Sequence, residues 1–242
     1  MKISIVIPAY NEESSIADTI RAALAQDYPD FEVIIVNNAS SDKTAEVAAR
    51  FPVRVVTEEK KGILFARERG RLEAKGELVA NLDADCLPAP HWLSTGAKYF
   101  TDPEVAAVTG PYDYYDGTRV FRKVSFASQR GIYRLVNNLM DLLDRGGILI
   151  GGNNMIRASV LEAAGGYNTK IKFYGEDTDT ARRVSEHGRI VFSKDFVMRT
   201  SARRFKTEGT VKITSYYLYH FLKAGVLPAI GFDKGTQVEN EL

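Results

Sequence analysis

The sequence predicts an α/β fold built on a mostly parallel sheet. Three observations carry it: short β-branched runs recur along the chain, a polar cluster follows each, and helix-like spacing fills the intervals. Ile3 to Ile7 form the first buried strand, stopped by Pro8. Asn11-Glu12-Glu13-Ser14 offers capping chemistry ahead of a periodic run at Ile16, Ile20, Ala23 and Leu24. Val33 to Val36 is a second strand, leading into polar Asn37 to Asp42. Helix spacing resumes from Thr44 to Arg50, and Val53 to Val56 reads as a third strand. A helix from Ile63 to Glu73 precedes Gly76, and Leu78 to Leu82 is the fourth strand. In parallel sheets ligands bind beyond the carboxyl ends of the strands. The clusters Ala9–Glu12, Asn37–Asp42 and Asp83–Asp85 are therefore expected on one edge.

Beyond residue 110 the rhythm changes. Tyr112, Tyr114 and Tyr115 precede a helix expected near Val120 to Leu143. Gly146-Gly147 and Gly151-Gly152-Asn153-Asn154 bracket Ile148 to Ile150, read as a short strand. Arg157 to Ala164 reads as helical and ends at Gly165-Gly166, as a helix C-terminus should. Thr178 to Glu186 is another expected helix, stopped by His187-Gly188. No repeat, low-complexity tract or linker interrupts the chain, which reads as one continuous domain.

Composition narrows the class. The 242 residues are 45% hydrophobic and 26% charged, the balance of a globular protein large enough to bury a sizeable core. Thirty-two basic side chains against 31 acidic ones argue against a nucleic-acid binder. The single cysteine, Cys86, excludes an intramolecular disulfide and a Cys-based zinc cluster and points to a reducing, cytoplasmic context. Ile3 to Pro8 is too brief for a signal-peptide core, and no uncharged stretch reaches the ~18 apolar residues of a spanning helix. The protein can lie against a membrane but is not expected to cross one.

Two acidic sites stand out. Asp83-Ala84-Asp85 directly follows a strand, where both carboxylates can turn toward one pocket once the backbone leaves the sheet. Such hard oxygen ligands suit Mg2+ or Mn2+ on a diphosphate; the plain alternative is loop solubility. Glu176-Asp177 precedes a helix carrying Arg182 and Arg183. A carboxylate there can serve as a general base, although acidic residues also belong in a first helical turn as dipole partners.

Together these segments resemble the family 2 glycosyltransferases. Val6-Ile7-Pro8-Ala9-Tyr10-Asn11-Glu12-Glu13 is similar to their opening, and Ile35 to Thr44 to their nucleoside-binding segment. Ala66 to Gly70 and Ala74 to Glu77 resemble the approach to the metal motif, which Leu82-Asp83-Ala84-Asp85 matches. Gly151 to Met155 and Gly165-Gly166-Tyr167 resemble the acceptor-side segment, and Glu176-Asp177 the acidic pair. The motifs keep the family's order over roughly residues 3 to 190. The resemblance implies a GT-A fold with a Rossmann-like, mostly parallel central sheet flanked by helices and a smaller acceptor-side part. Residues 1–110 would be the nucleotide-sugar-binding half, 111–205 the acceptor and catalytic-base half, and 206–242 a C-terminal amphipathic helix and tail.

The implied activity is an inverting transfer of a sugar from a UDP- or GDP-sugar to a hydroxyl of a glycan or lipid-linked acceptor, in cell-surface polysaccharide or glycolipid synthesis. Asp177 would be the base, and Asp85 with Asp83 would hold Mn2+ or Mg2+. Pro8, Tyr10, Glu12, Asn37, Arg67, Asp83, Asn153, Glu176 and Arg204 would contact substrate. The expected location is cytoplasmic, extending to the inner face of the membrane, with a homodimer compatible.

There are two departures from the family pattern. Asn37 stands where an aspartate usually contacts the base, and Met198 to Phe205 lacks a metal-binding histidine. Arg203 and Arg204 in that stretch can meet the diphosphate instead, since arginine's fork suits phosphate. The competing reading is a non-catalytic sugar-nucleotide or glycan-binding module on the same fold. A nucleotidyltransferase would want a Gly-rich phosphate loop after the first strand, which Pro8-Ala9-Tyr10-Asn11 is not. Ile213 to Phe232, aromatic and lysine-bearing, can rest at a membrane interface or pack against the domain or a second subunit. The geometric expectation beneath all of this is that residues 83–85 and 177 meet at one cleft.

Overall fold

The computed structural model describes residues 1–142, 147–171 and 175–221. Its first part alternates as expected: β1 (Ile3–Ala9), α1 (Ile16–Leu24), β2 (Phe31–Asn37), α2 (Thr44–Ala48), β3 (Arg54–Thr57), α3 (Ile63–Glu73) and β4 (Leu78–Leu82). There follow β5 (Leu87–Pro88), α4 (Trp92–Ala97), β6 (Val105–Thr109), β7 (Tyr112–Tyr114), α5 (Arg119–Ser128) and α6 (Arg134–Leu142). The remaining elements are β8 (Asn153–Arg157), α7 (Ala158–Ala163), α8 (Glu176–Ser185), β9 (Arg189–Phe192), β10 (Met198–Thr200), α9 (Arg203–Glu208) and α10 (Thr210–Phe221).

Seven strands form the central sheet in the order β3-β2-β1-β4-β8-β6-β9. Only β8 runs antiparallel to its neighbours. A small sheet, β5-β10-β7, lies apart from it. Alternation along β1 feeds two cores. Ile3, Ile5 and Ile7 face α1 with Ile16 and Ile20, while Val6 faces α3 with Ile34, Val36 and Ala66. Both sets are fully buried, as a strand covered on both faces requires. Gly70 lets α3 lie directly on the sheet, because a side chain there would collide with Val6 and press on Val36.

Four expectations need correction. Ile148 to Ile150 is irregular, and the strand is β8, directly after it. Asn153 and Asn154, read as flanking that strand, lie within β8 and are buried: Asn81 donates across the sheet to Asn154 at 2.7 Å, and Thr109 Oγ1 donates to the Asn153 carbonyl. Cross-strand hydrogen bonding makes asparagine acceptable inside the sheet. The helix from Thr178 instead begins at Glu176, with Gly175 at φ +88° ahead of it, so Glu176 and Asp177 lie in its first turn. The helix read over 120–143 is interrupted by a wide π-type turn at Gln129–Tyr133. Leu143, Gly146, Tyr174 and the C-terminal stretch 222–242 lie outside the described residues.

Candidate active site

The loops after β1 and β2 are knitted to each other. The Asn11 and Glu12 amides donate to Ser40 and Thr44, and Ser41 N–H donates to Asn11 Oδ1 at 2.8 Å. Asn11 and Ala39 hold positive φ, 53° and 52°. For alanine this is a sparsely populated conformation, held by the surrounding bonds. The parallel register of β1 with β2 and β4 brings Ala9, Asn37 and Asp83 to one edge.

At that edge Arg67 is the organising residue. It lies on α3, 5% exposed, and its guanidinium is shared between two carboxylates. Nη1 donates to Asp177 Oδ1 at 2.9 Å, and Nη2 to Asp83 Oδ1 at 3.4 Å. A second layer closes the ring. Gly151 N–H donates to Asp177 Oδ2 at 3.0 Å, Tyr112 hydroxyl donates to Asp83 Oδ2 at 3.4 Å, and Gly152 N–H donates to the Tyr112 hydroxyl at 3.0 Å. Glycine is required here: a Cβ on Gly151 would stand 2.6 Å from Asp177 Oδ1, and one on Gly152 would collide with the Asp83 carboxylate. Asp83 and Asp177 keep 36% and 37% of their side-chain surface exposed, so the pair is open to solvent rather than sealed.

Asp85 sits further along the same edge. Burial, reinforced by the Asp83 and Glu12 carboxylates, pushes it up to about 7 against the opposing pull of Arg203. Arg203 pairs with Glu12 and lies 3.8 Å from Asp85, and Ser15 hydroxyl donates to Glu12 at 2.5 Å. A cavity of about 330 Å3 opens beside them, lined in part by Ser15, Asp85, Tyr115 and Arg203. Burial and the adjacent Asp177 likewise raise Glu176 to about 7, opposed by Arg67 and Arg204. Asp177 is also raised, by burial first and by Asp83, with Arg67 pulling it back. For Arg67 itself, burial works against its charge, and Asp177 and Asp83 more than reverse that.

The expected site residues divide accordingly. Arg67, Asp83, Glu176 and Asp177 form one cluster, and Glu12, Asp85 and Arg203 adjoin it. Asn37 closes β2 with its buried Oδ1 lacking a hydrogen-bond partner among the described residues. Tyr10 is 47% exposed, with Lys61 Nζ 5.0 Å above its ring. Pro8 is buried within β1. Arg204 bonds Glu208 at 3.1 Å and lies near enough to influence Glu176.

Asn153 is a correction. It is fully buried, accepts from Trp92 Nε1 at 2.9 Å, and donates to the Gly110 and Phe196 carbonyls. Its amide joins β8 to the loops around it and is not available to a substrate. Conversely, nothing in the sequence separates Tyr112 from Tyr114 and Tyr115, yet Tyr112 is the one that holds Asp83. The Arg203-Arg204 doublet was visible, but only the fold assigns the two arginines to different acids.

The Glycosyl transferase family 2 profile matches residues 4–165. The chain belongs to that family. It is 27% identical over 215 residues to glycosyltransferase AglE of Haloferax volcanii, covering 84% of this chain and 68% of that one. It is 28% identical over 177 residues to the poly-beta-1,6-N-acetyl-D-glucosamine synthase of Staphylococcus epidermidis, 70% of this chain and 42% of that one. Among solved structures, the mannosyltransferase PcManGT from Pyrobaculum calidifontis, in complex with GDP-Man and Mn2+, superposes with a TM-score of 0.74 at 25% identity. That match covers 97% of this chain and 66% of PcManGT. The family 2 chain thus spans from under half to about two thirds of the length of these relatives. Within the family 2 frame, no helix among the described residues is long and apolar enough to cross a membrane.

Proposed function

We propose that this protein transfers a sugar from a nucleotide diphosphate-sugar to an acceptor hydroxyl with inversion at the anomeric carbon. The observation that carries the reading is the single guanidinium of Arg67 bonded to both Asp83 and Asp177, which joins a strand-end carboxylate to one 94 positions later on a helix start. Asp177 is the base. One oxygen is committed to Arg67 and the other to Gly151 N–H, leaving each a further lone pair for an incoming hydroxyl. As the acceptor oxygen bonds to the anomeric carbon, its proton passes to Asp177, and the glycosidic electron pair leaves with the diphosphate. Arg67 favours the ionised form of Asp177 that this requires.

The acid cluster fits a divalent cation. Asp83 and Glu12 crowd Asp85 with like charge, which a cation relieves. Among the described residues no group of three His, Cys, Asp or Glu side chains could hold a metal. One or two carboxylates would therefore supplement diphosphate oxygens and water, the manner in which Mg2+ and Mn2+ bind. When bound, the ion supplies Lewis-acid neutralisation of charge on the leaving diphosphate. PcManGT binds GDP-Man and Mn2+, which supports a nucleotide-sugar donor and this metal class here. Arg203 and Arg204, freed from Glu12 and Glu208, supply forked donors for phosphate. Asn37 Oδ1, buried and without a hydrogen-bond partner among the described residues, suits a ring N–H of the base.

In this reading residues 1–110 bind the donor and 111–205 the acceptor. Surface-glycan synthesis at the inner face of the membrane fits a relative named as a poly-N-acetyl-glucosamine synthase, and exposed Val211, Tyr216 and Tyr219 on α10 support membrane contact. A thermal-shift panel of UDP-, GDP- and other nucleotide diphosphates with and without Mn2+ tests the reading. A cognate ligand at a hundred times its Kd stabilises by about 2.7 kcal/mol. A flat panel, or one insensitive to Mn2+ and to Asp85→Asn, overturns it.

A further inference from the structure

From the outer face of α5 and α6, we infer that this protein docks on anionic lipid surfaces through an apolar stripe edged by cations, on an element separate from both the catalytic cluster and α10. Val120, Val124, Ile132, Leu135, Leu139 and Leu142 are 53–80% exposed. At 100° per residue these positions fall within an arc of about 120° on a continuous helix. The wide turn at Gln129–Tyr133 adds about one residue to that turn and leaves Leu135, Leu139 and Leu142 on the side of Val120 and Val124. Six large apolar side chains thereby share one outward stripe.

The helix pair cannot roll to hide them, because its inner face is fastened. Phe121 packs on Tyr114 and Phe205, Gln129 bonds both backbone groups of Tyr112, and Asn137 donates to the Ile190 carbonyl at 2.8 Å.

The charge pattern selects the partner. Arg119, Lys123, Arg130 and Arg134 are exposed, each one residue away from a stripe position or Gly131, so they form a row along one edge. No Asp or Glu occurs from residue 117 to 140. Arg130 lies 4.0 Å from Asp195, while Arg119, Lys123 and Arg134 have no carboxylate within ion-pair distance among the described residues. A two-fold dimer packing these helices antiparallel through this face would bring one cation row against another. A bilayer with anionic headgroups instead meets the cations while its acyl boundary receives the stripe, the pattern of an interfacial amphipathic helix. The inference extends the membrane contact proposed above to a different surface and does not depend on the transferase chemistry.

Co-sedimentation of the full chain with vesicles of phosphatidylcholine mixed with phosphatidylglycerol, against pure phosphatidylcholine, tests it. Binding is expected only to the anionic vesicles and to weaken with salt. Lys123→Gln and Arg134→Gln should each weaken it by roughly fivefold, the effect of one surface charge. Leu135→Glu with Leu139→Glu should abolish it, while Val211→Glu on α10 should leave most of it. Both altered positions are exposed, and circular dichroism confirms that the variants fold. The inference fails if anionic vesicles do not bind, or if binding survives the double glutamate variant. It fails equally if ultracentrifugation finds a dimer that this variant dissociates without any vesicle binding, since the face is then an interface between copies.

Discussion

Replacing Asp177 by asparagine separates chemistry from binding at this site. The change keeps the side-chain shape and removes the proton acceptor proposed above. General-base catalysis contributes about 100- to 10,000-fold, so the barrier should rise by about 3–5 kcal/mol. The structure also sets a local cost. Asp177 Oδ1 accepts from Arg67 at 2.9 Å and Oδ2 from Gly151 N–H at 3.0 Å. Asparagine can satisfy only one of these donors, and whichever way the amide turns, its NH2 faces an N–H. An unmet donor pair costs about 1–3 kcal/mol, offset by the lost repulsion from Asp83 and Glu176. The melting temperature should therefore move by no more than about 5 °C. The assay is initial-rate transfer from the donor chosen by the thermal-shift panel, with donor Kd measured by calorimetry. Transfer should fall at least a hundredfold while Kd changes less than about threefold. A variant that keeps a tenth of its turnover refutes the base assignment, and one that loses donor binding in parallel shows that Asp177 serves the donor instead.

Two further perturbations follow from the same cluster. Arg67→Met strands Asp83 and Asp177 without their counter-charge. Breaking a fully buried pair costs about 3–5 kcal/mol; with both carboxylates over a third exposed, a loss of about 2 kcal/mol and a Tm decrease of about 4–8 °C are expected, and an unchanged Tm would contradict the central place given to this guanidinium. Glu176→Gln tests the raised carboxyl. Glu176 moves from 4.5 up to about 7 on folding, so the folded state holds its proton more tightly than the unfolded chain. Its contribution is complete below about pH 4.5 and is lost as pH rises through 7. The variant should gain Tm relative to the parent progressively between pH 5 and 8, and a gap that stays constant with pH would exclude the shift.

Much of the fold was legible because β-branched runs and helical spacing report burial directly. β1, β2, α3 and β4 fall within a residue or two of where periodicity placed them, although β1 runs through Pro8 to Ala9 instead of stopping at the proline, and Gly165-Gly166 ends its helix with φ of +80° and +72°. Reading failed where polar residues are interior. Asn153 and Asn154 carry turn chemistry in isolation, and their side-chain partners include Asn81, Trp92, Gly110 and Phe196, which only the fold brings to them. Leu135 and Leu139 read as ordinary helix residues in one dimension, because nothing local distinguishes the solvent side of a helix from its packed side.

What the chain settles by itself is local: which segments extend or coil, which carboxylates follow a strand, and that the motifs of one family stand in order. Tertiary structure settled which acids share a cation. Asp83 and Asp177 are 94 positions apart, and no spacing rule links a strand end to a helix start at that distance. They meet because the parallel register of β1 and β4 and the seating of α3 on the sheet bring Arg67 beneath both. A guanidinium so buried is stable only with carboxylates at its rim, and that requirement belongs to three-dimensional burial, which the order of residues does not display.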